Sequence, residues 1–348
     1  MALLAFVVFC VAVTASVYAL LGEPDWAQVE SPYLVARDSL LSDGEYNTVY
    51  VGSSVTFRQI DPRVVDAVIA ASDADSVQPQ RSINLGNPGL FPPRSTAYLE
   101  RLIENPPPGL QRVYVELFRL DTITVNYRAP EIMRMITPGL YADVVRTIAA
   151  ANYSQRYKVW LWWQYSRTLV YKYAGFSMLG YLSTERELRP FMRERIAAAP
   201  AGFYAKDAEL AASSFADNVA TMQRVRDSFV RNQHRLDDRR RLHVSKYDRD
   251  WTLSSSPYVT RLNRLIRDAR DRNIDLIFYL PPLLTPAGVE FAYPVFLQLP
   301  ESQRIDLSDP RTYPQLYSPE YLFDLEHVNS DGAALLSRYL AAETVRLR

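Results

Sequence analysis

The chain has little of what disulfide bonds and metal sites require. Its 348 residues include one cysteine, Cys10, so an intramolecular disulfide is excluded and a cysteine-based metal site is not expected. Histidine is also scarce, with only His234, His243 and His327 in the whole sequence, so the candidates for a general base are few. No loop of the phosphate-binding type G-x-x-x-x-G-K is present. We therefore expect neither a metal nor a cofactor.

The chain also lacks an excess of charge of either sign. Its 39 lysine and arginine residues balance its 39 aspartate and glutamate residues, so nothing overall indicates a nucleic acid or another polyanion as a partner. The length of 348 residues and the hydrophobic content of 48% are enough for one substantial core and one additional subdomain.

The first segment, residues 2–21, contains no charged residue. At about 1.5 Å per residue, a helix of about 20 residues spans the hydrocarbon core of a bilayer. The apolar run is longer than that of a typical signal peptide and has no basic residue before it, which favours a membrane anchor over a cleaved signal or a buried helix. We predict a transmembrane anchor at residues 1–22 and a polar connector at residues 23–44.

Apolar strands alternate with amphipathic helices in the rest of the chain, apart from its middle. Strands that are apolar on both faces indicate a parallel sheet covered by helices, which is the α/β class. Between residues 126 and 262 no strand pattern occurs, and prolines break the helical periodicity, which predicts a helical insertion. The α/β core then comprises residues 45–125 and 263–348. Its predicted strands are 48–51, 81–90, 112–120 and 274–280. Its predicted helices are 65–77, a helix that begins at residue 263 and ends before the strand at 274, and 329–347.

Two stretches of the insertion have an unusual composition. Residues 157–182 are dense in aromatic side chains with basic residues between them, and three interpretations stay open: a helix in the core of the insertion, a helix at a membrane interface, or a platform for stacking sugars. Residues 223–243 carry charges of both signs, which is typical of a solvated helix. We therefore assign no catalytic role to His234 or His243.

Two short motifs at opposite ends of the chain suggest a reactive serine. In YNTVYVGSSVTF, Gly52, Ser53 and Ser54 directly follow the first strand, and in YLFDLEHVNSDG, Asp324 precedes His327 by three residues. A serine hydroxyl needs a base that removes its proton, and the base needs a carboxylate that fixes its tautomer. Because ligands of parallel sheets bind at the carboxyl ends of the strands, we predict that His327 lies over Ser54.

These motifs resemble those of the SGNH (GDSL-like) hydrolase superfamily. The likeness consists of the Gly-Ser-Ser turn, the Asn-x4-Gly spacing from Asn84 to Gly89, and the Asp-x-x-His motif. It covers residues 45–125 and 266–348 and implies an SGNH-type sheet. Among the members, those tethered to membranes that modify bacterial cell-surface polymers are the most similar, such as the alginate O-acetylation proteins and the membrane-anchored D-alanyl transfer protein of teichoic acid modification.

The resemblance implies a role for each matching residue. Ser54 is the expected nucleophile, His327 the base and Asp324 the orienting acid, while the amides of Ser54 and Gly89 form the expected oxyanion hole. The third motif departs from the family, because LFRLD at residues 117–121 stands where many members have Gly-x-Asn-Asp.

Other residues are candidates for the role of the asparagine that the third motif lacks. Asn87 or Arg119 is expected to substitute for the missing asparagine. Arg58 is a candidate substrate contact, although a position at the protein surface is the simpler expectation. Asn329 is expected to cap the last helix.

The resemblance also implies a function. We expect an O-acyltransferase or esterase of the bacterial inner membrane, with its catalytic domain in the periplasm and a polysaccharide or glycolipid as acceptor. A polytopic membrane acyltransferase is the expected partner, and the aromatic stretch 157–182 is a candidate surface for its docking. Hydrolysis in place of transfer uses the same residues. Because the asparagine motif is missing, a non-catalytic scaffold that binds a glycan or a membrane partner is the alternative.

Overall fold

A computed structural model describes most of the chain. Of the predicted anchor at residues 1–22, the greater part lies outside the described residues, and so does Arg119. Within the part of the chain that the structure describes, no helix is both long enough and apolar enough to cross a membrane. The described residues are 30–41, 45–72, 79–117, 127, 130–151, 153–173, 188–251, 253 and 256–347, with isolated positions between 5 and 16.

A parallel sheet of five strands forms the centre of the fold. The strand order is β2-β1-β3-β4-β5, and Val49 of β1 lies opposite Ile83 of β2 and Val113 of β3. The α/β class and the parallel sheet are therefore confirmed. The sequence did not predict β5, which has only three residues, two of them charged. The strands are β1 Thr48–Val51, β2 Ser82–Asn84, β3 Arg112–Glu116, β4 Asp275–Leu280 and β5 Arg304–Asp306.

Helices cover both faces of this sheet. The helices before and after the insertion are α1 Pro32–Asp38, α2 Ser54–Gln59, α3 Pro62–Ser72, α4 Arg94–Glu104, α12 Pro257–Arg270, α13 Pro286–Leu297 and α14 Ser330–Leu347. Those of the insertion are α5 Pro130–Met135, α6 Pro138–Ala150, α7 Gln155–Tyr173, α8 Pro190–Ala197, α9 Lys206–Ala212, α10 Ala216–Arg231 and α11 His234–Ser245.

The two faces of the sheet belong to two separate apolar clusters. Val49 and Val51 pack with residues of α4, α12 and α13 in the first cluster. Tyr50, which points to the opposite face, packs with residues of α3 and α14 in the second. Because all four residues of β1 are buried, this strand reads as continuously apolar in the sequence.

The helix predictions hold with shifted boundaries. The helix α3 begins at Pro62 and ends at Ser72, and residues 73–77 of the prediction lie outside the described residues. The helix α12 begins at Pro257, earlier than predicted, because the Ser256 side chain accepts a hydrogen bond from the amide of Val259 and caps it. The predicted cap of α14 is confirmed, since the Asn329 side chain accepts from the Gly332 amide at 2.9 Å.

The predicted connector is wrong in its second half. Residues 30–41 are part of the folded domain, because Glu30 is buried in an ion pair with Arg94 and Arg37 is almost fully buried. The Arg37 guanidinium donates to backbone carbonyls of three residues, Asn84, Gly86 and Gly202. This arginine therefore joins the connector, the loop after β2 and the insertion.

All the secondary structure in the described residues of the insertion is helical. The insertion has two parts. The helices α5, α6 and α7 enclose a small apolar cluster of their own, which includes Ile132, Leu140 and Tyr165. The second part packs on the sheet, because Phe229 of α10 and Leu236 of α11 belong to the same cluster as the second sheet face.

His243 has a structural position that makes stability depend on pH. Burial, and then the nearby charge of Lys246, lower the pKa of His243 to about 4, although the carbonyls of Leu284 and Ser308 favour the charged ring. The unfolded chain therefore binds a proton that the native His243 does not bind. We expect stability to fall as the pH decreases from about 6.5 to about 4, by up to about 3 kcal/mol from this residue.

Urea unfolding at a series of pH values checks this prediction. In the variant His243→Gln, the free energy of unfolding should decrease less steeply with falling pH than in the native chain. The exposed His234 provides the comparison, because His234→Gln removes an imidazole that is not buried. Equal slopes in all three proteins would contradict the assignment to His243.

Candidate active site

The turn after β1 requires glycine at its first position. A Cβ atom on Gly52 would lie 1.7 Å from Thr56 Oγ1 and 2.6 Å from Glu116 Oε2, so no other residue fits. The next residue, Ser53, caps α2, since its hydroxyl accepts from the Val55 amide at 3.1 Å. Ser54 is the first residue of this helix and lies just beyond the carboxyl end of β1.

A buried carboxylate holds this turn in place. Glu116, the last residue of β3, accepts from the Ser53 amide at 2.7 Å, from the Ser53 hydroxyl at 2.9 Å and from the Thr56 hydroxyl at 2.7 Å. The Thr56 hydroxyl also lies 2.8 Å from the hydroxyl of Tyr279 on β4. Glu116 was not predicted from the sequence, although a lone acidic residue at the end of an apolar strand was a usable signal.

The structure brings Ser54, His327 and Asp324 together, as the sequence predicts. The distance from His327 Nε2 to Ser54 Oγ is 3.1 Å, and His327 Nδ1 lies 3.0 Å from Asp324 Oδ1. A carboxylate only accepts hydrogen bonds, so Nδ1 carries the proton and Nε2 is free to accept from the serine hydroxyl. The arrangement can therefore activate the Ser54 oxygen as a nucleophile.

Asp324 is held in place by more than the imidazole. Its Oδ1 accepts from the amides of Glu326 at 2.8 Å and His327 at 2.9 Å, and its Oδ2 accepts from Lys206 Nζ at 2.7 Å. Burial by itself raises the pKa of Asp324, but the hydrogen bond and charge of His327, together with Lys206, hold it well below its usual range. The carboxylate thus stays charged at neutral pH and can orient the base.

The insertion braces the loop that carries the base. Besides Lys206 from α9, Arg226 from α10 donates to the carbonyls of Leu322 at 2.6 Å and Phe323 at 2.9 Å. Asp207 accepts from the amide of Ser330 at 2.9 Å. These residues were missed in the sequence, because nothing around Lys206 relates it to Asp324, which lies 118 residues away.

The loop after β2 lies against the nucleophile turn. The Asn84 side chain is structural, since it donates at 2.7 Å to the carbonyls of both Thr56 and Ile60 and accepts from the Gly86 amide. The Asn87 amide donates to the Gly52 carbonyl at 2.8 Å, which places Asn87 next to the turn. Gly89 is exposed with a φ of 80°, a left-handed conformation that favours glycine. The roles of Asn87 and Gly89 toward an oxyanion stay predictions.

The expectation that Arg58 lies at the surface is wrong. Its side chain is buried and forms an ion pair with Glu209 of α9, and it also donates to the Tyr204 carbonyl at 3.0 Å. The insertion thus supplies the counter-charge of the guanidinium, and a contact of Arg58 with a substrate stays a prediction. Among the residues that the structure describes, no group of three or more His, Cys, Asp or Glu side chains is arranged to hold a metal ion.

The variant Glu116→Gln tests the role of this carboxylate under the turn. The amide nitrogen of the new side chain cannot accept, so the Ser53 hydroxyl keeps at most one of the two oxygens to which it can donate, and we expect a loss of about 1 kcal/mol in the free energy of unfolding. The exposed Glu104 is the matched control, because Glu104→Gln should change stability by less than about 0.5 kcal/mol. Chemical denaturation measures both, and equal stabilities would contradict the role of Glu116.

Comparisons with known proteins add no relative. No protein-family model matches the chain, and no curated protein and no solved structure matches it either. The geometry of Ser54, His327 and Asp324 is therefore the basis on which a function is proposed for this chain.

Proposed function

We propose that the chain is a serine-dependent O-acyltransferase or esterase of the SGNH type. One observation carries the proposal: Asp324, His327 and Ser54 form a continuous hydrogen-bonded chain at the carboxyl end of a parallel strand. A serine is activated when a base lies within hydrogen-bond reach of its hydroxyl and an acid within reach of the base orients it. The resemblance of the sequence motifs to the SGNH superfamily supports the same chemistry.

The first half of the reaction forms an acyl-enzyme. Ser54 Oγ attacks the carbonyl carbon of an acyl donor while His327 Nε2 takes the hydroxyl proton. The charge on the carbonyl oxygen is stabilised by the Ser54 amide, which has no partner within α2 because it is the first of that helix, and by the predicted donors at Gly89 and Asn87. When the tetrahedral intermediate collapses, the bond to the leaving group breaks and the leaving group receives the proton from His327.

The second half resolves the acyl-enzyme. A hydroxyl group, from a sugar or from water, gives its proton to His327 and attacks the acyl carbon, and Ser54 leaves with that proton. Asp324 stabilises the imidazolium in both halves, and Lys206 keeps the carboxylate charged. With a sugar hydroxyl the reaction is transfer, and with water it is hydrolysis.

The substrate class and setting in the proposal derive from the resemblance and the apolar N-terminal segment. The acceptor is a polysaccharide or glycolipid of the bacterial envelope, the protein is tethered to the inner membrane, and the catalytic domain faces the periplasm. A polytopic membrane acyltransferase supplies the acyl group. The charge-free segment of residues 2–21 supports the tether.

Labelling with a fluorophosphonate probe tests whether Ser54 reacts. We expect the native chain to be labelled at Ser54 and the variant Ser54→Ala not to be labelled, while both unfold at the same denaturant concentration. The neighbouring Ser53 is the matched control. Ser53→Ala removes the cap of α2 and its bond to Glu116, so it should lose stability and be labelled more slowly, but the label should still be attached to Ser54.

Asp324→Asn separates the triad from a serine that is merely accessible. This variant keeps Ser54 but loses the charge that fixes the tautomer of His327, so the labelling rate should decrease by about 10³–10⁴-fold. An unlabelled native chain would contradict the enzyme proposal and favour a scaffold. An unchanged rate in Asp324→Asn would contradict the triad.

Product analysis distinguishes transfer from hydrolysis. With p-nitrophenyl acetate as donor, we expect an O-acetylated product when an acidic polysaccharide is present and free acetate when it is absent, with both lost in Ser54→Ala. Free acetate as the sole product under both conditions would assign an esterase and contradict transfer to this acceptor.

A further inference from the structure

The helix α7 has two apolar faces, of which one is packed. Leu161, Gln164, Tyr165 and Thr168 are its buried residues, and their spacing of three and four places them on one side of the helix. Leu161 and Tyr165 belong to the cluster that α7 shares with α5 and α6. The aromatic stretch of the sequence therefore contributes to the core of the insertion with this side only.

The opposite side of α7 exposes large apolar residues to solvent. Val159 is 61% exposed, Trp162 47%, Trp163 58%, Val170 60% and Tyr173 45%. We call these five residues the outer face of α7. Single exposed apolar residues are ordinary, but five on one side of one helix indicate a surface for interaction.

The charge of α7 indicates what kind of surface the outer face meets. From Gln155 to Tyr173 the sequence contains four basic residues and no acidic one, and two of the basic residues, Arg156 and Arg167, are exposed. A helix that combines exposed tryptophans and aliphatic residues with basic residues is typical of segments that lie in the headgroup region of an anionic membrane. The outer face is less suited to binding sugars, because Val159 and Val170 offer no hydrogen bond to a hydroxyl group.

The start of the folded domain lies close in sequence to the predicted anchor. Glu30 is the first described residue of the domain, and it is buried and fixed by its ion pair with Arg94. Only residues 23–29 separate it from the predicted anchor at residues 1–22, and seven residues reach at most about 25 Å. An anchored domain on so short a connection has one side against the bilayer.

We propose that α7 lies on the membrane surface, with its outer face among the upper acyl chains and Arg156 and Arg167 at the lipid phosphates. The helix lies in the plane of the interface and does not cross the bilayer. This inference is independent of the chemistry at Ser54, and it orients the domain by a second contact besides the predicted anchor.

A fluorescent probe at Val159 tests the proposal in the full-length chain. In a Cys10→Ser background, Val159→Cys carries a bimane label, and Val230→Cys on α10 is the matched control because Val230 is a similarly exposed valine, at 51%. The protein is reconstituted with vesicles of phosphatidylcholine and phosphatidylglycerol that contain nitroxide-labelled lipid. We expect lipid quenching of the label at residue 159 and none at residue 230.

A second variant tests the contribution of the tryptophans, and a second lipid mixture tests that of the anionic headgroups. In Trp162→Gln/Trp163→Gln, the equilibrium of the label between bilayer and water should shift about tenfold toward water. In vesicles of phosphatidylcholine alone, quenching at residue 159 should be weaker because the basic residues lack anionic headgroups. Val225→Gln, on α10, should have no effect.

Two results would overturn the proposal. One is equal quenching at residues 159 and 230, which would mean that the anchor alone brings the domain to the bilayer. The other is no quenching at residue 159 in either lipid mixture. If that label then responded to a soluble acidic polysaccharide or to a membrane acyltransferase, the outer face would be a glycan or protein site instead.

Discussion

The site depends first on a buried carboxylate. Glu116 lies under the turn that follows β1, and the oxygens of a buried carboxyl group must be satisfied by hydrogen-bond donors. Ser53 and Thr56 supply those donors, and Gly52 leaves the space that the carboxylate needs. In the conformation that satisfies Glu116, Ser54 lies within hydrogen-bond distance of His327. The position of Ser54 therefore depends on how the turn satisfies a buried carboxyl group.

The loop of His327, the candidate base, is fixed by a different part of the chain. Lys206 and Arg226 come from the insertion, and they bind the carboxylate of Asp324 and the carbonyls just before it. The insertion is therefore a structural part of the candidate site, because it holds the loop of His327 in place without supplying Ser54, His327 or Asp324. Its two parts have distinct surroundings: α9 and α10 hold the base, while α7 turns an apolar face outward.

How much could be predicted depended on whether the determining contacts are local. The strands β1 and β4, the last helix and its Asn329 cap follow from periodicity and from neighbouring residues, and all were predicted. The approach of His327 to Ser54 was predicted because parallel strands end at one edge. By contrast, Glu30 and Arg37 resemble surface charges in the sequence, since the partners that bury them lie 64 and 47 residues away.

Partners that are distant in sequence also explain why other residues of the site were not predicted. From the sequence alone Arg58 is expected to be solvated, because its partner Glu209 belongs to the insertion. Glu116 is read only as the end of a strand, because the turn that contacts it lies elsewhere in the chain. A short strand such as β5 has too few residues to show a period. Charges that are buried in pairs carry no local signal, and this fold uses several of them around its site.

The separation of Ser54 from His327 along the chain has a consequence for folding. The two residues are 273 positions apart, and their hydrogen bond joins the turn after β1 to the loop before the last helix. Contacts between residues so distant in sequence are slow to form, because a long segment loses conformational freedom before the contact is made. We therefore expect a chain that is still being synthesised to contain Ser54 without His327 beside it until almost the whole sequence has been made.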